Sequence, residues 1–235
     1  MASSTPSACA GNRLLAALPK SDQRAFLVRG ETVELVRSER LHTSGTLQHV
    51  YFPVRGSISL VLPVPGSASL EVGLVGSEGM FGVELALGVF PSPLDAVVQA
   101  PGFALRMSAS DFRHEVARST VLRERLDRYV CVLLAQLQRR TACSRFHTVE
   151  ARLARWLLMT RDRAQCDRVE LTHELLAAML GARRVGVTNA ATALQRRGLI
   201  SYHRGDVRVL DVRNLKSASC SCYAADLAAY SLLLG

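Results

Sequence analysis

The 235-residue sequence predicts an α+β protein: an N-terminal β-roll of the jelly-roll type, then a long helix, then a C-terminal winged helix-turn-helix. Three observations predict this fold. Short β-rich runs fill residues 30–112, an apolar stripe with helical spacing crosses residues 110–143, and residues 171–210 have the pattern helix, glycine turn, helix, hairpin. We therefore assign the β-roll to 12–112, the long helix to 113–143, the winged helix-turn-helix to 144–213 and a C-terminal tail to 214–235.

The N-terminal part opens with two short helices, predicted around Pro19. After Gly30 the pattern changes to short runs rich in β-branched residues, with alternation that is clearest from Ser57 to Leu60. Glycines and prolines between the runs are turn signals, and many short strands at this spacing are typical of a small sandwich or barrel. The predicted strands are Thr32–Val36, Val50–Phe52, Ser57–Leu62, Leu70–Val75, Ala96–Gln99 and Ala104–Met107.

The long helix is predicted to begin near Ser110, a suitable N-cap, and its apolar residues recur at spacings of three and four. Such a stripe favours pairing of the helix with its own copy across a two-fold axis, so we predict a homodimer. The alternative is a helix that packs only on its own β-roll. The predicted dimer seam consists of Leu122, Leu126, Tyr129, Leu133 and Leu137.

Residues 171–210 carry the functional motif. Thr172 is a good N-cap for a first helix that ends at Gly181, and a short turn leads to a second helix that ends at Gly198. Two short strands follow, which completes a winged helix-turn-helix. A generic helical hairpin does not need a glycine turn, a cationic start of the second helix and a wing together, so the combination predicts DNA binding.

The residue types at the start of the second helix are those that read base edges in the major groove. Arginine pairs with guanine, asparagine pairs with adenine, and valine or threonine contacts the thymine methyl group. We predict contacts with bases or nearby backbone from Thr172, Arg183, Arg184, Val185, Thr188 and Asn189, and contacts with phosphates from Arg196, Arg197, His203 and Arg204.

The charge distribution supports a polyanionic partner for the second half of the chain. Residues 1–112 have a net charge of −1, whereas residues 113–235 have a net charge of +10. Of the 29 cationic side chains 27 are arginines, which form bidentate contacts with phosphate and guanine. Double-stranded DNA is the expected partner.

Other classes of protein are less consistent with the sequence. A signal-peptide core and a membrane-spanning run are both missing, so we expect a cytoplasmic protein with no membrane partner and with six reduced cysteines. A catalytic triad or paired carboxylates are not recognisable, so no enzyme is expected. For Cys220 and Cys222 a metal-binding or redox role is considered, but two thiolates without a histidine pair favour inert cysteines and no metal site.

The chain resembles the family of the cyclic-AMP receptor protein and the fumarate-nitrate regulator (the Crp/Fnr family) of bacterial transcription regulators. The resemblance is strongest from Leu171 to Gly181 and at the following Arg183, Arg184 and Val187. It implies a cyclic-nucleotide-binding-like β-roll, a long dimerisation helix, a winged helix that binds DNA, and RNA polymerase as a partner. By position, Arg184, Val185 and Asn189 fall where family members read bases. Val185 and Asn189 depart from the common family residues, so the operator sequence does not carry over.

The resemblance is weaker at the effector site. In members that bind cyclic nucleotides, a Gly-Glu pair holds the ribose and an Arg-Ser pair holds the cyclic phosphate. Here Gly82 and Glu84 are separated by one residue, and Leu94 and Asp95 stand where the phosphate ligands are expected. A carboxylate repels a phosphate, so we predict that cyclic AMP is not bound in the usual mode.

Other sensor types are also disfavoured, and no cofactor is identified. An iron–sulfur cluster needs about four thiolates, and Cys9 is the single cysteine before Cys131. Haem would need an axial ligand such as His42, His49 or Met80. An isolated histidine is more often a turn or surface residue than a haem ligand, so haem is not expected.

The sequence thus predicts a homodimeric DNA-binding regulator with an unknown effector. Two alternatives remain open: a regulator that needs no ligand, and a cyclic-nucleotide-responsive subunit or scaffold whose C-terminal helices contact proteins.

Overall fold

A computed structural model describes residues 8–66, 69–203 and 205–235. The chain divides into two compact units. The first comprises residues 1–61 and 74–131, and the second comprises residues 62–73 and 132–235. The α+β architecture that the sequence predicts is confirmed.

The N-terminal half of the chain forms an antiparallel sheet that has the order β1-β7-β4-β5, with β2 paired to β7, and a small second sheet that pairs β3 with β6. A 3-10 helix, Val83–Leu87, follows β5. The strands are β1 (Glu31–Leu35), β2 (Arg40–His42), β3 (Gly45–Thr46), β4 (His49–Leu62), β5 (Leu70–Val75), β6 (Pro91–Ser92) and β7 (Asp95–Ser108), and the helices before and after them are α1 (Ala8–Gly11), α2 (Arg13–Ala16), α3 (Lys20–Arg29) and α4 (Ala109–Arg118).

Strands β4 and β7 are each longer than predicted, because two predicted runs merge into one strand in both cases. Neither strand ends where a turn was predicted. Instead, the pairing of β4 with β7 is irregular around Arg55 and Ser57. Gly56 has φ +85°, and a Cβ there would lie 2.5 Å from the carbonyl oxygen of Ala100. Glycine therefore permits a close backbone approach within a continuous strand here, instead of ending the strand.

The predicted long helix is two helices, α4 and α5 (Thr120–Phe146). The N-cap of α4 is Ser108 and not Ser110: the Ser108 hydroxyl accepts a hydrogen bond from the backbone N–H of Asp111 at 3.1 Å. Ser119 separates the two helices, and its hydroxyl accepts a hydrogen bond from the N–H of Leu122 at 3.1 Å. Serine competes for backbone hydrogen bonds in this way, which explains the break in an otherwise helical pattern.

The first three residues of the predicted dimer seam pack inside their own unit. Leu122, Leu126 and Tyr129 are buried. The Tyr129 hydroxyl donates to the carbonyl oxygen of Met80 at 3.2 Å, within the same unit. These side chains are therefore part of the core of the first unit.

The apolar residues that α5 leaves accessible lie further along the helix. Leu133 is half-buried, whereas Leu134 and Leu137 are 53% and 45% exposed. The stripe thus changes its environment midway, from buried residues to residues that are partly or largely exposed.

The second unit contains the end of α5 and a helical domain with a three-stranded sheet, in the order β8-β10-β9. Its core includes Leu153, Leu157, Val187 and Leu194. The elements are α6 (Val149–Ala164), β8 (Arg168–Glu170), α7 (His173–Leu180), α8 (Arg184–Arg196), β9 (Ile200–His203), β10 (Asp206–Val209), α9 (Val212–Ala218) and α10 (Cys222–Leu234).

The segment predicted as a C-terminal tail is folded. Leu215 of α9 and Tyr223 of α10 are buried in the core of the second unit. Asp226 of α10 is also buried and forms ion pairs with Arg139 and Arg155. No helix in the described ranges is both long enough and apolar enough to cross a bilayer.

Candidate nucleic-acid interface

Helix α7, which leads into the turn before α8, is held by hydrogen bonds at both of its ends. The Thr172 hydroxyl accepts from the N–H of Leu175 at 3.2 Å and caps the start of α7. Gly181 adopts φ +55°, which favours glycine, and ends the helix. Arg152 of α6 donates to the carbonyl oxygen of Leu180, so a neighbouring helix also satisfies the end of α7. The glycine turn inferred from the sequence is present.

Helix α8 is anchored by one face and exposes the other. Val187, Ala190, Ala191 and Leu194 are buried. All four belong to the hydrophobic core of the second unit, so this face fixes α8 to the rest of the domain.

The predicted base-reading residues lie on the outer side of α8. Arg183 and Asn189 are exposed, and Val185 is 71% exposed. Thr188 is only partly exposed, and its hydroxyl donates to the carbonyl oxygen of Arg184 at 3.1 Å.

Arg184 has a partner that the sequence analysis did not identify. Its Nη1 lies 2.9 Å from Oε1 of Glu174 on α7, and both side chains are about two-thirds exposed. An ion pair exposed to this extent contributes little stability, so the guanidinium can exchange the carboxylate for another acceptor at low cost.

The predicted phosphate contacts lie in different surroundings. Arg196 and His203 are exposed. Arg197 is exposed too, but its Nη1 lies 2.8 Å from Oε1 of Glu150. Arg204 lies outside the described residues. On the wing, Arg208 of β10 is an additional exposed cation that was not selected from the sequence.

The predicted effector residues make contacts within the first unit. Gly82 has φ +90° and precedes the 3-10 helix, in which the carboxylate of Glu84 accepts a hydrogen bond from the Ser92 hydroxyl at 2.9 Å. Leu94 is half-buried, and its N–H donates to the Ser92 hydroxyl oxygen at 3.4 Å.

Asp95 is buried and has the cationic partner that its sequence neighbours do not supply. Arg40 of β2 forms an ion pair with its carboxylate, and the N–H of Ser44 donates to Oδ1 at 2.8 Å. Arg40 lies 55 residues from Asp95 in the sequence, so the sequence neighbours of Asp95 could not identify this partner.

A second group of polar residues assembles elsewhere in the second unit. Cys143, His147, Cys220 and Cys222 place their Sγ and imidazole nitrogen atoms within 4.8 Å of one another. The hydrogen bond with Cys220 lowers the pKa of the Cys143 thiol. We call these four residues the Cys₃His cluster. Among the cysteines of the sequence, only Cys220 and Cys222 stand close together, and nothing local joins them to Cys143 and His147.

The comparisons with known proteins identify the C-terminal domain directly. The family model of the Crp-like helix-turn-helix domain matches residues 151–218. No curated protein matches the chain.

Solved structures share the fold over most of the chain. FixK2 from Bradyrhizobium japonicum is 14% identical with a TM-score of 0.68, and the alignment covers 81% of this chain and 98% of that one. A CRP/FNR-family transcriptional regulator from Thermus thermophilus is 22% identical with a TM-score of 0.65, covering 80% and 98%. The c-di-GMP responsive global regulator CLP from Xanthomonas campestris is 14% identical with a TM-score of 0.64, covering 82% and 100%. The domain match confirms the helix-turn-helix predicted for this part of the chain, and the shared fold confirms the predicted fold class.

Proposed function

We propose that this chain is a transcription regulator of the Crp/Fnr family and that it binds specific operators in double-stranded DNA as a homodimer. The observation that carries the proposal is the exposed start of α8, where Arg183, Arg184, Val185 and Asn189 project from a helix whose opposite face is fixed in the core. A helix presented in this way fits the major groove, and its residue types match the donors, acceptors and methyl groups found there.

Base reading by Arg184 requires an exchange of partners. In the free protein its guanidinium contacts Glu174. A guanine offers two acceptors, O6 and N7, to the two-pronged guanidinium, so the bidentate contact replaces one exposed ion pair by two aligned hydrogen bonds. Asn189 lies five residues further along the helix, which is a rotation of roughly 140°. We therefore assign it to a different base or to a phosphate.

The homodimer is proposed to form through the later part of α5. Leu134 and Leu137 are exposed, Leu133 is half-buried, and apolar residues at this spacing pair well with a second copy of the same helix. A two-fold dimer presents two α8 helices to half-sites about 34 Å apart, so an operator with inverted half-sites is expected. RNA polymerase is the further partner that we assign to a regulator of this kind.

The β-roll is proposed to hold an effector other than cyclic AMP in its usual binding mode, or to act without one. The carboxylate of Asp95 is buried where a cyclic phosphate would need a cation, and Arg40 is already bound to that carboxylate. A new anion at this position would have to displace Asp95 from Arg40 or lie against a carboxylate.

The test of base reading begins with selection of operators from a randomised DNA pool by the purified protein. We then expect Arg184→Ala to lose discrimination at one symmetric pair of operator positions, by about 5- to 150-fold, because a bidentate contact is worth about 1–3 kcal/mol. Binding to every single-base variant of the operator measures this. Arg24→Ala, which removes an exposed arginine from the first unit, is the control for charge alone.

A flat profile for Arg184→Ala, with equal loss for every operator variant, would assign the side chain to phosphate and refute base reading. Absence of any selected sequence in the first step would instead favour the scaffold alternative, in which the C-terminal helices contact proteins.

The test of the dimer replaces Leu134 and Leu137 together by Glu. Both side chains are exposed within one chain, so the fold is expected to survive, whereas four carboxylates would face one another in the dimer. We expect monomers in sedimentation and a loss of operator affinity of about 100-fold or more, since two linked half-site contacts become one.

Arg128→Glu is the matched control for this pair. It also changes the charge by two units, and Arg128 is an exposed residue of α5 that helical spacing turns away from Leu134 and Leu137. A Leu134→Glu, Leu137→Glu protein that sediments as a dimer would move the interface elsewhere.

A further inference from the structure

We propose that the Cys₃His cluster of Cys143, His147, Cys220 and Cys222 is a structural zinc site that joins the end of α5 to the junction of α9 and α10. This inference is independent of the DNA-binding proposal. It depends on four convergent ligand atoms, their spacing, their burial and the charge around them.

The first half of the site comes from one helical turn. Cys143 lies in the last turn of α5, and His147 directly follows the helix. The N–H of His147 still donates to the carbonyl oxygen of Cys143 at 3.2 Å, so the helical geometry continues to the histidine. Residues four apart in such a turn share one face, which places the sulfur and the imidazole side by side.

The second half of the site comes from the connection between α9 and α10. Cys222 is the first residue of α10, and Cys220 lies two residues before it. The N–H of Tyr223 donates to the carbonyl oxygen of Cys220 at 3.1 Å, which closes a tight turn around Ser221. Tyr223 is itself buried in the core, so this turn is fixed against the rest of the second unit.

The distances suit tetrahedral coordination. Sγ of Cys143 lies 3.5 Å from Sγ of Cys220, and Sγ of Cys222 lies 3.7 Å from Nδ1 of His147. Zinc bonds of about 2.3 Å to sulfur and about 2.0 Å to nitrogen give tetrahedral edges of roughly 3.8 Å between two sulfurs and roughly 3.5 Å between sulfur and nitrogen. Both separations lie within about 0.3 Å of the corresponding edge, and the four ligand atoms all lie within 4.8 Å of one another.

The donor set identifies the class of metal. Three thiolates and one imidazole form a closed four-coordinate shell, which is a usual ligand set for structural Zn²⁺. All four positions are supplied by protein, so no position is left for a catalytic water. The three cysteines are buried and His147 is half-buried, which limits exchange of the ion with solvent.

The surrounding charges balance such a site. Zn²⁺ with three thiolates and a neutral imidazole carries one negative charge. The side chain of Arg155 is 9% exposed and interacts electrostatically with the sulfurs of Cys143 and Cys220. Arg155 and Arg139 together share the single carboxylate of Asp226, which leaves one positive charge beside the cluster. Within the described residues, Nε of Arg155 has no hydrogen-bond partner and is therefore available to a metal-bound thiolate.

A cavity lies beside the cluster in the same unit. It has a volume of about 340 Å³ and is lined by Cys143 and Arg155, together with residues of α6 and α7.

The experiment measures metal in the full-length protein, purified under reducing conditions without added chelator. We expect about one zinc per chain by elemental analysis, and a tetrahedral thiolate spectrum after replacement of zinc by Co²⁺. Added Zn²⁺ at 100 times its dissociation constant is expected to raise Tm of the chelator-treated protein by about 5–10 °C.

Variants assign the ligands. We expect Cys222→Ser and His147→Ala each to weaken zinc binding by more than about 100-fold, which exceeds the loss caused by removal of an outer-shell partner. Cys166→Ser is the matched control, since Cys166 is an exposed cysteine of the same unit outside the cluster. This variant is expected to keep one zinc per chain and the full Tm increase.

Two results would overturn the proposal, even if the Cys222→Ser protein fails to fold. One is a wild-type protein that binds no Zn²⁺ at micromolar concentration when reduced. The other is a disulfide between Cys143 and Cys220, found by mass spectrometry in protein kept anaerobic, since that bond would consume two of the four ligands.

Discussion

Polar side chains lie at the start of α8 and around Asp95 in the β-roll, and a ligand was expected at both places. The two regions differ in whether these side chains already have partners within the protein. At α8, the side chain of Asn189 has no hydrogen-bond partner among the described residues, and Arg184 makes only an exposed ion pair. In the β-roll, Asp95 is buried and bound by Arg40 and by the N–H of Ser44.

The difference separates a surface that is kept for a partner from a site whose polar groups are satisfied internally. An exposed donor loses little when it leaves water for a base edge, because a new hydrogen bond replaces the old one. A buried carboxylate that already has its partners gains nothing from a ligand of the same charge. The α8 surface is therefore the stronger candidate for recognition.

The largest expected difference between the two regions is in the free energy of unfolding of variants. Asp95→Ala leaves the N–H of Ser44 without its acceptor and Arg40 without its carboxylate, so we expect the free energy of unfolding to fall by about 1–3 kcal/mol. Asn189→Ala removes an exposed side chain and is expected to change it by less than about 0.5 kcal/mol. Calorimetric unfolding of both variants measures the contrast.

Asp95→Asn sharpens the same test. The amide keeps an oxygen acceptor for Ser44 and removes only the charge, so its loss of stability should be smaller than that of Asp95→Ala. Equal stability of Asp95→Ala and the wild type would show that the Asp95 carboxylate does not stabilise the β-roll.

A smaller effect is expected on the salt dependence of operator binding. Arg196 is exposed and has no ion-pair partner within the described part of the chain, whereas Arg197 contacts Glu150. If both side chains lie near phosphates, Arg196→Ala should reduce the slope of log affinity against log salt by about 0.9, and Arg197→Ala by less. The reverse order would mean that DNA draws Arg197 away from Glu150 completely.

The smallest expected effect is the response to cyclic nucleotides. Titration of the protein with cyclic AMP or cyclic GMP in a calorimeter should give no binding at micromolar concentration, because the site around Asp95 offers a carboxylate to the phosphate. Micromolar binding would show that Arg40 can leave Asp95 and bind the nucleotide. Arg40 would then behave like Arg184 of α8, whose ion pair can be exchanged for a ligand.

The sequence alone was sufficient for the winged helix-turn-helix and for the fold class. The capping of α7 by Thr172, its end at Gly181 and the apolar spacing of α8 are all signals within about twenty residues, and short-range physics decides them. The same local signals failed at Gly56, where close packing of β4 against β7, and not a turn, requires a glycine.

Only the tertiary structure decided which polar and apolar groups meet. The stripe on α5 has one period throughout, yet contact with Met80 makes Tyr129 part of the core while Leu134 stays exposed. Arg40 and Asp95 are 55 residues apart, and Cys143 and Cys220 are 77 residues apart. Periodicity and capping describe the neighbours of a residue along the chain. The partner of Asp95 and the assembly of the Cys₃His cluster depend on how strands and helices pack, which no local pattern encodes.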